Sequence, residues 1–128
     1  MTARALALAL LVAACARAPA KPGLGVTPLN VRLTASHYLV DVRYRVTDAA
    51  RATALLAPGA KPVLRDDATG AALYVPSFPK VGSLRTQGAP QLGRDYFLLF
   101  GNPHGVVHPG SHVTLTLGDA ELAHLAVE

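Results

Sequence analysis

The sequence predicts an all-β domain, a two-sheet Greek-key β-sandwich of seven to eight short strands with one short crossover helix, placed after an N-terminal signal segment. Three observations predict it. Apolar residues recur with period two through much of the chain beyond Leu29, the spacing that puts alternate side chains on one face of a strand. Gly, Pro, Asn and Asp clusters interrupt these runs at spacings of about 8–12 residues, as they do in sandwiches and small barrels. A single stretch, Asp48 to Pro58, leaves the alternation for helical spacing.

The N-terminus comes first. Met1 to Arg4 is a short basic start, and Ala5 to Ala14 is an unbroken apolar run of ten residues that ends at Cys15. A spanning helix needs about 20 apolar residues, whereas the core of a secretory leader needs roughly 7–15, so the run reads as a leader. Val12-Ala13-Ala14-Cys15 resembles the lipobox of bacterial lipoproteins. The resemblance implies lipid attachment to the Cys15 thiol, cleavage before it and acylation of the new amino terminus, with residues 1–14 as the signal peptide. Several acyl chains supply the stable anchorage that one chain cannot. Conventional cleavage after Ala18 or Ala20 is the alternative, and gives secretion without an anchor. Ala16 stands where inner-membrane lipoproteins often carry Asp, so the resemblance points to an outer-membrane lipoprotein facing the periplasm. Residues 15–28 contain Pro19, Pro22, Gly23, Gly25 and Pro28 and read as a flexible tether, leaving 29–128 as the folded domain.

Val31 and Leu33 alternate with Arg32 and Thr34, and Tyr38, Val40, Val42, Tyr44 and Val46 alternate with Leu39, Asp41, Arg43 and Arg45. Ala35-Ser36-His37 joins the two as a hairpin, which puts Arg32 and the Asp41, Arg43, Arg45 row on one solvated face. Asp48 is positioned to cap a helix whose inner face carries Ala52, Leu55 and Leu56, and Pro58-Gly59 ends it. Lys61–Arg65 and Ala72–Val75 flank Asp66-Asp67-Ala68-Thr69-Gly70, turn residues suited to a second hairpin. Pro76 to Arg94 is long for a connector and leaves two readings open, a short edge strand near Val81–Arg85 or an open loop. Tyr96 to Phe100 is apolar on both faces and reads as a central strand. His112–Leu117, the turn at Gly118-Asp119-Ala120 and Leu122–Val127 close the fold with a last hairpin.

This pattern resembles immunoglobulin-like or fibronectin-III-like domains. Such a likeness implies architecture alone, because the chain has no Trp and no second Cys to build an antibody-type core. Tyr96, opening the late strand after Gly93-Arg94-Asp95, stands where a tyrosine corner occurs in that group. Pro79 to Gly82 and Tyr96 to Pro103 also resemble stretches of uncharacterised bacterial envelope proteins, a likeness that implies no activity.

The formal net charge of +4 falls to +3 once Arg4 leaves with the leader. Basic residues are scattered from Arg32 to Arg94, so no stripe of cations interleaved with aromatics points to nucleic acid. With one cysteine, there is neither a disulfide framework nor a CxxC motif. Asp66-Asp67 lacks the regular oxygen spacing of a calcium loop. Ser36-His37 and Ser111-His112 are adjacent pairs whose side chains point to opposite faces of a strand, and no GxSxG elbow exists. No catalytic residues are assigned, and a non-enzymatic envelope module presenting loops to a protein partner is the main expectation. The competing expectation is a copper or zinc site at His104, His108 and His112, which recur every four residues among Pro103, Gly105, Pro109 and Gly110. Those breakers argue for a loop rather than a helix that would stack the three rings.

If Cys15 is the anchor, Cys15→Ala moves the protein out of the membrane fraction on cell fractionation, and a variant that stays there removes the lipoprotein reading.

Overall fold

The computed structural model describes residues 23–80 and 82–128. Among these, nine strands and one α-helix follow in the order β1 (Val26–Thr34), β2 (Leu39–Val46), α1 (Ala49–Leu56), β3 (Val63–Asp66), β4 (Ala72–Tyr74), β5 (Ser77–Phe78), β6 (Gly82–Ser83), β7 (Asp95–Gly101), β8 (His112–Leu117) and β9 (Ala120–Ala126). One sheet has the order β1-β2-β7, a second β4-β3-β8-β9, and β5-β6 is a small separate hairpin. Among the described residues these strands pair antiparallel throughout. The domain is therefore mostly all-β with one short helix, as the alternation predicts.

Both sheets contribute to one apolar core. Val40, Val42, Tyr44 and Val46 from β2 and Leu98 and Phe100 from β7 belong to the same buried cluster as Leu64, Leu73, Val113, Leu115 and Leu125 from the other sheet. Tyr44 lies opposite Tyr96 in register, and their rings sit 5.9 Å apart in a tilted arrangement, a geometry that adds to plain area burial. Tyr38 does not join this row: it lies in the hairpin turn, 73 % exposed. That turn contains three successive residues with left-handed backbone, Ala35, Ser36 and His37, at φ of 51, 54 and 69°.

The charged row of β2 is less solvated than expected. Asp41 is only 5 % exposed, held by Arg43 Nε at 3.0 Å, while Arg43 also lies over the Phe97 ring at 5.5 Å. Arg45 and Asp95 face each other across the β2–β7 ladder and form a two-point ion pair at 2.7 and 3.2 Å.

The tether expected over 15–28 is corrected at its end. Leu24 is 2 % exposed and β1 already starts at Val26, three residues before Leu29. Gly and Pro were read there as linker punctuation, but each has a structural use. Gly25 adopts φ +73° directly against α1, where a Cβ would stand 2.5 Å from Asp48 O and 2.7 Å from Arg51 Cβ. Its carbonyl accepts from the N–H groups of Thr47 and Asp48, both at 3.0 Å. Pro28 falls in an edge strand beside a register shift between Pro28 and Asn30, one of the few places a ladder tolerates it. Cys15 and the leader lie outside the described residues.

Helix α1 forms as its sequence predicts: Asp48 has extended backbone and its Oδ1 accepts from Arg51 N–H at 3.2 Å, and Ala52, Leu55 and Leu56 are buried. The turn after β3 is closed by Asp66, whose Oδ2 accepts from the Thr69 hydroxyl at 2.6 Å and from Thr69 N–H at 3.2 Å, with Gly70 at φ +74°.

The loop from Pro76 to Arg94 resolves into the β5–β6 hairpin and then a short ladder along the free side of β7. Leu99 N–H donates to Leu84 O at 3.0 Å, Thr86 N–H donates to Phe97 O at 3.1 Å, and Arg85 bridges to Leu98. The central strand expected at Tyr96–Phe100 is thus the last strand of its three-stranded sheet, and this short run of bridging bonds partly covers its outer side. On the other side of the domain, β9 carries one extra residue opposite Thr114, with His124 at φ 56°, and Glu128 N–H donates to Val31 O at 2.9 Å, stitching the last residues to β1.

Asn102 holds the passage from β7 to β8. It is 3 % exposed. Its Nδ2 donates to His37 O at 2.9 Å and Val107 O at 2.8 Å, and its Oδ1 accepts from Val107 N–H at 2.9 Å. Substituting Asn102→Asp turns the donor toward two carbonyls into an acceptor. Leaving such buried groups unpaired lowers the unfolding free energy by about 2–4 kcal/mol in urea denaturation. Gly25→Ala, which adds backbone strain and overlap with α1, costs about as much.

Candidate functional site

Two concave sites lie near opposite ends of β3. The first, about 430 Å³, is lined by Gly59, Ala60, Lys61 and Pro62 ahead of β3, by Tyr74, Val75 and Ser77 at and after the end of β4, and by Ser83, Arg85 and Gln87. The second, about 420 Å³, gathers Asp66, Asp67, Ala68 and Thr69 with Val106, His108, Gly110, Ser111 and His112.

The first site exists because α1 ends without a cap of its own. The helix has no basic residue in its last turn, and Ala57 at its C-terminus is extended, which leaves carbonyls in need of donors. The distant loop supplies them. Arg85 Nη1 donates to Leu55 O at 3.0 Å, Arg85 Nη2 to Ala57 O at 2.7 Å, and Gly88 N–H to Leu56 O at 3.0 Å. A cation at a helix C-terminus also meets the negative end of its dipole. Arg85 is thereby fixed, 6 % exposed, as a wall of the pocket.

Burial holds the Arg85 pKa below the usual guanidinium range, with the neighbouring Tyr44 acting in the opposite sense. The Tyr44 hydroxyl is pushed up to about 12, first by burial and then by Tyr96. Neither Tyr44 Oη nor Arg85 Nε makes a hydrogen bond among the described residues. Two aromatic rings of these elements stand exposed, Tyr74 in the lining at 63 % and Phe78, which follows the lining residue Ser77, at 50 %.

The second site holds two of the three histidines singled out in the sequence. His108 and His112 line it, and His104 does not; His104 sits in a 3₁₀ turn with φ 60°. Among the described residues no group of three or more His, Cys, Asp or Glu side chains is placed to hold a metal ion. The fourfold spacing thus does not become a shared ligand set, because Pro103, Gly105, Pro109 and Gly110 bend the chain between the rings. Ser111 Oγ accepts from His108 N–H at 3.1 Å and serves the turn. Ser36 and His37 lie exposed together at the hairpin tip.

Asp67 links three strands at this end. The Thr114 hydroxyl donates to its Oδ1 at 2.7 Å, and His124 Nδ1 stands 2.9 Å from Oδ2. The Thr114 hydroxyl first, then His124, hold the Asp67 carboxyl below the usual carboxylate range. The Asp95 carboxyl is lowered in the same way by its hydrogen bonds from Arg45.

Sequence reasoning marked the 76–94 loop and missed Arg85, Lys61 and Tyr74. The one local signal was indirect: a helix without a basic C-terminal turn requires donors from elsewhere in the chain. The Tyr96 hydroxyl accepts from Gln91 N–H at 3.0 Å. No protein-family model matches the chain, and neither a curated protein nor a solved structure matches it. Among the described residues no helix is long and apolar enough to cross a membrane.

A carboxyl whose folded pKa is lowered adds stability in full above its unfolded value, near 4, and loses it as pH falls through the folded value. Wild-type stability therefore declines on acidification below about pH 4, and Asp67→Asn shows a shallower decline over that window in pH-dependent urea melts.

Proposed function

We propose that this chain is an exported, lipid-anchored, non-enzymatic binding module of the bacterial envelope, which docks a protein partner at the end of the domain where Tyr74, Phe78 and the 76–94 loop lie. The observation that carries this reading is the pairing of a formed concavity with exposed aromatic rings. Tyr and Arg in or beside a pocket are the side chains that most often dominate protein interfaces. Here the loop that bears Phe78 is pinned by Arg85 to α1, so the surface is held in shape before a partner arrives. Export and the anchor rest on the leader and on Cys15, and the outer-membrane address rests on Ala16.

The finer fold belongs to the same proposal. A three-stranded sheet with hairpin β1–β2 faces a four-stranded sheet with hairpins β3–β4 and β8–β9, and the chain changes sheet after β2, β4 and β7. That order supports a Greek-key sandwich of the fibronectin-III-like kind, with β5–β6 as an insertion. In that assignment the tyrosine-corner bond of Tyr96 lies on the last strand of the three-stranded sheet, one strand earlier than in antibody-type domains.

Site-specific photocrosslinking in intact cells tests the docking surface. Probes at Tyr74 and Phe78 trap one recurrent protein, whereas a probe at exposed Ala123 on β9 does not; random neighbours at all three positions remove the reading.

A further inference from the structure

The proposed docking site also indicates the chemistry of what enters it, and the inference rests on that reading of the pocket. Arg85 is buried, yet among the described residues no carboxylate forms an ion pair with it. Among the described residues its side chain donates to two neutral carbonyls, whereas a guanidinium has five N–H groups to place. A buried cation served only by neutral acceptors is costly and gains from an opposite charge. The rest of the wall adds Lys61 and contains no Asp or Glu, so both formally charged residues of the lining are positive. Ser77, Ser83 and Gln87 bring neutral hydrogen-bonding groups, and Ala60, Pro62, Val75 and the Tyr74 ring bring apolar surface.

We propose that this pocket binds a carboxylate carried on a small apolar group, the carboxylate at Arg85 and Lys61 and the apolar part against Val75 and Tyr74. The planar guanidinium matches a planar carboxylate in shape. Inorganic phosphate, tetrahedral and without an apolar part, leaves the wall of Ala60, Pro62, Val75 and Tyr74 unmatched. The cavity of about 430 Å³ lies within the size range of small-molecule sites. Free small acids and the C-terminal residue of a peptide share this chemistry.

The test uses the full chain purified in detergent, titrated in calorimetry with hippurate, with its neutral amide, with inorganic phosphate and with an acetylated dipeptide ending in a free carboxylate. Hippurate binds at one site, the amide binds about tenfold or more weaker, and phosphate fails to displace hippurate. Tighter binding by the dipeptide points to a peptide end, tighter binding by hippurate to a free acid, and both support the carboxylate assignment. Arg85 also caps α1, so the deciding variant is Lys61→Glu, whose exposed side chain holds no other element; it weakens hippurate by about tenfold or more with the melting temperature unchanged. Equal binding of acid and amide, displacement by phosphate, or no binding of any carboxylate overturns the proposal. A recurrent crosslinked partner without carboxylate binding overturns the ligand class and leaves the docking reading standing. Carboxylate binding without a recurrent partner does the reverse.

Discussion

Three stretches of chain pass from one sheet to the other, and many of the backbone groups they carry lie outside the two main ladders. A buried N–H or C=O must find a partner or the fold loses free energy comparable to a hydrogen bond. The protein meets this constraint by tying the crossings to each other. Arg85 and Gly88, on the passage from β4 to β7, supply donors to the end of α1, on the passage from β2 to β3. Asn102 does the same for the third passage, joining the tip of the β1–β2 hairpin to Val107. Two polar side chains thus fix three connections, and the apolar core between the sheets closes around them.

The candidate site is a by-product of that solution. Because the 76–94 loop must reach the end of α1, it folds back past the start of β3 and the end of β4 and leaves a concavity between them. Its positive wall is the same guanidinium that completes the helix. The residue that completes the helix thus also lines the candidate site, and the exposed Phe78 stands on the loop that Arg85 ties to α1.

Much of the fold was legible in the sequence wherever the signal was local. The alternation of Val40, Val42, Tyr44 and Val46, the Asp48 cap and the Asp66–Gly70 turn each depend on neighbours within a few residues, and each forms. The failures are long-range. Gly25 and Pro28 look like a linker until α1 and the β2 ladder come against them. Arg85 is thirty residues from the carbonyl it caps, and no periodicity encodes that contact. The histidines show the converse, since regular spacing in sequence becomes uneven placement, with His108 and His112 at one concavity and His104 outside its lining.

The margins of the two sheets have a consequence for self-association. Strand β1 carries Pro28 and a register shift, β9 carries the extra residue at His124, β4 is three residues long, and the ladder beside β7 is shorter than the strand it covers. Irregular or short margins offer no continuous row of donors and acceptors to an incoming strand. Copies of this chain can be crowded together at high local density without polymerising through their backbones, so any fibre-forming route would first require part of the domain to open.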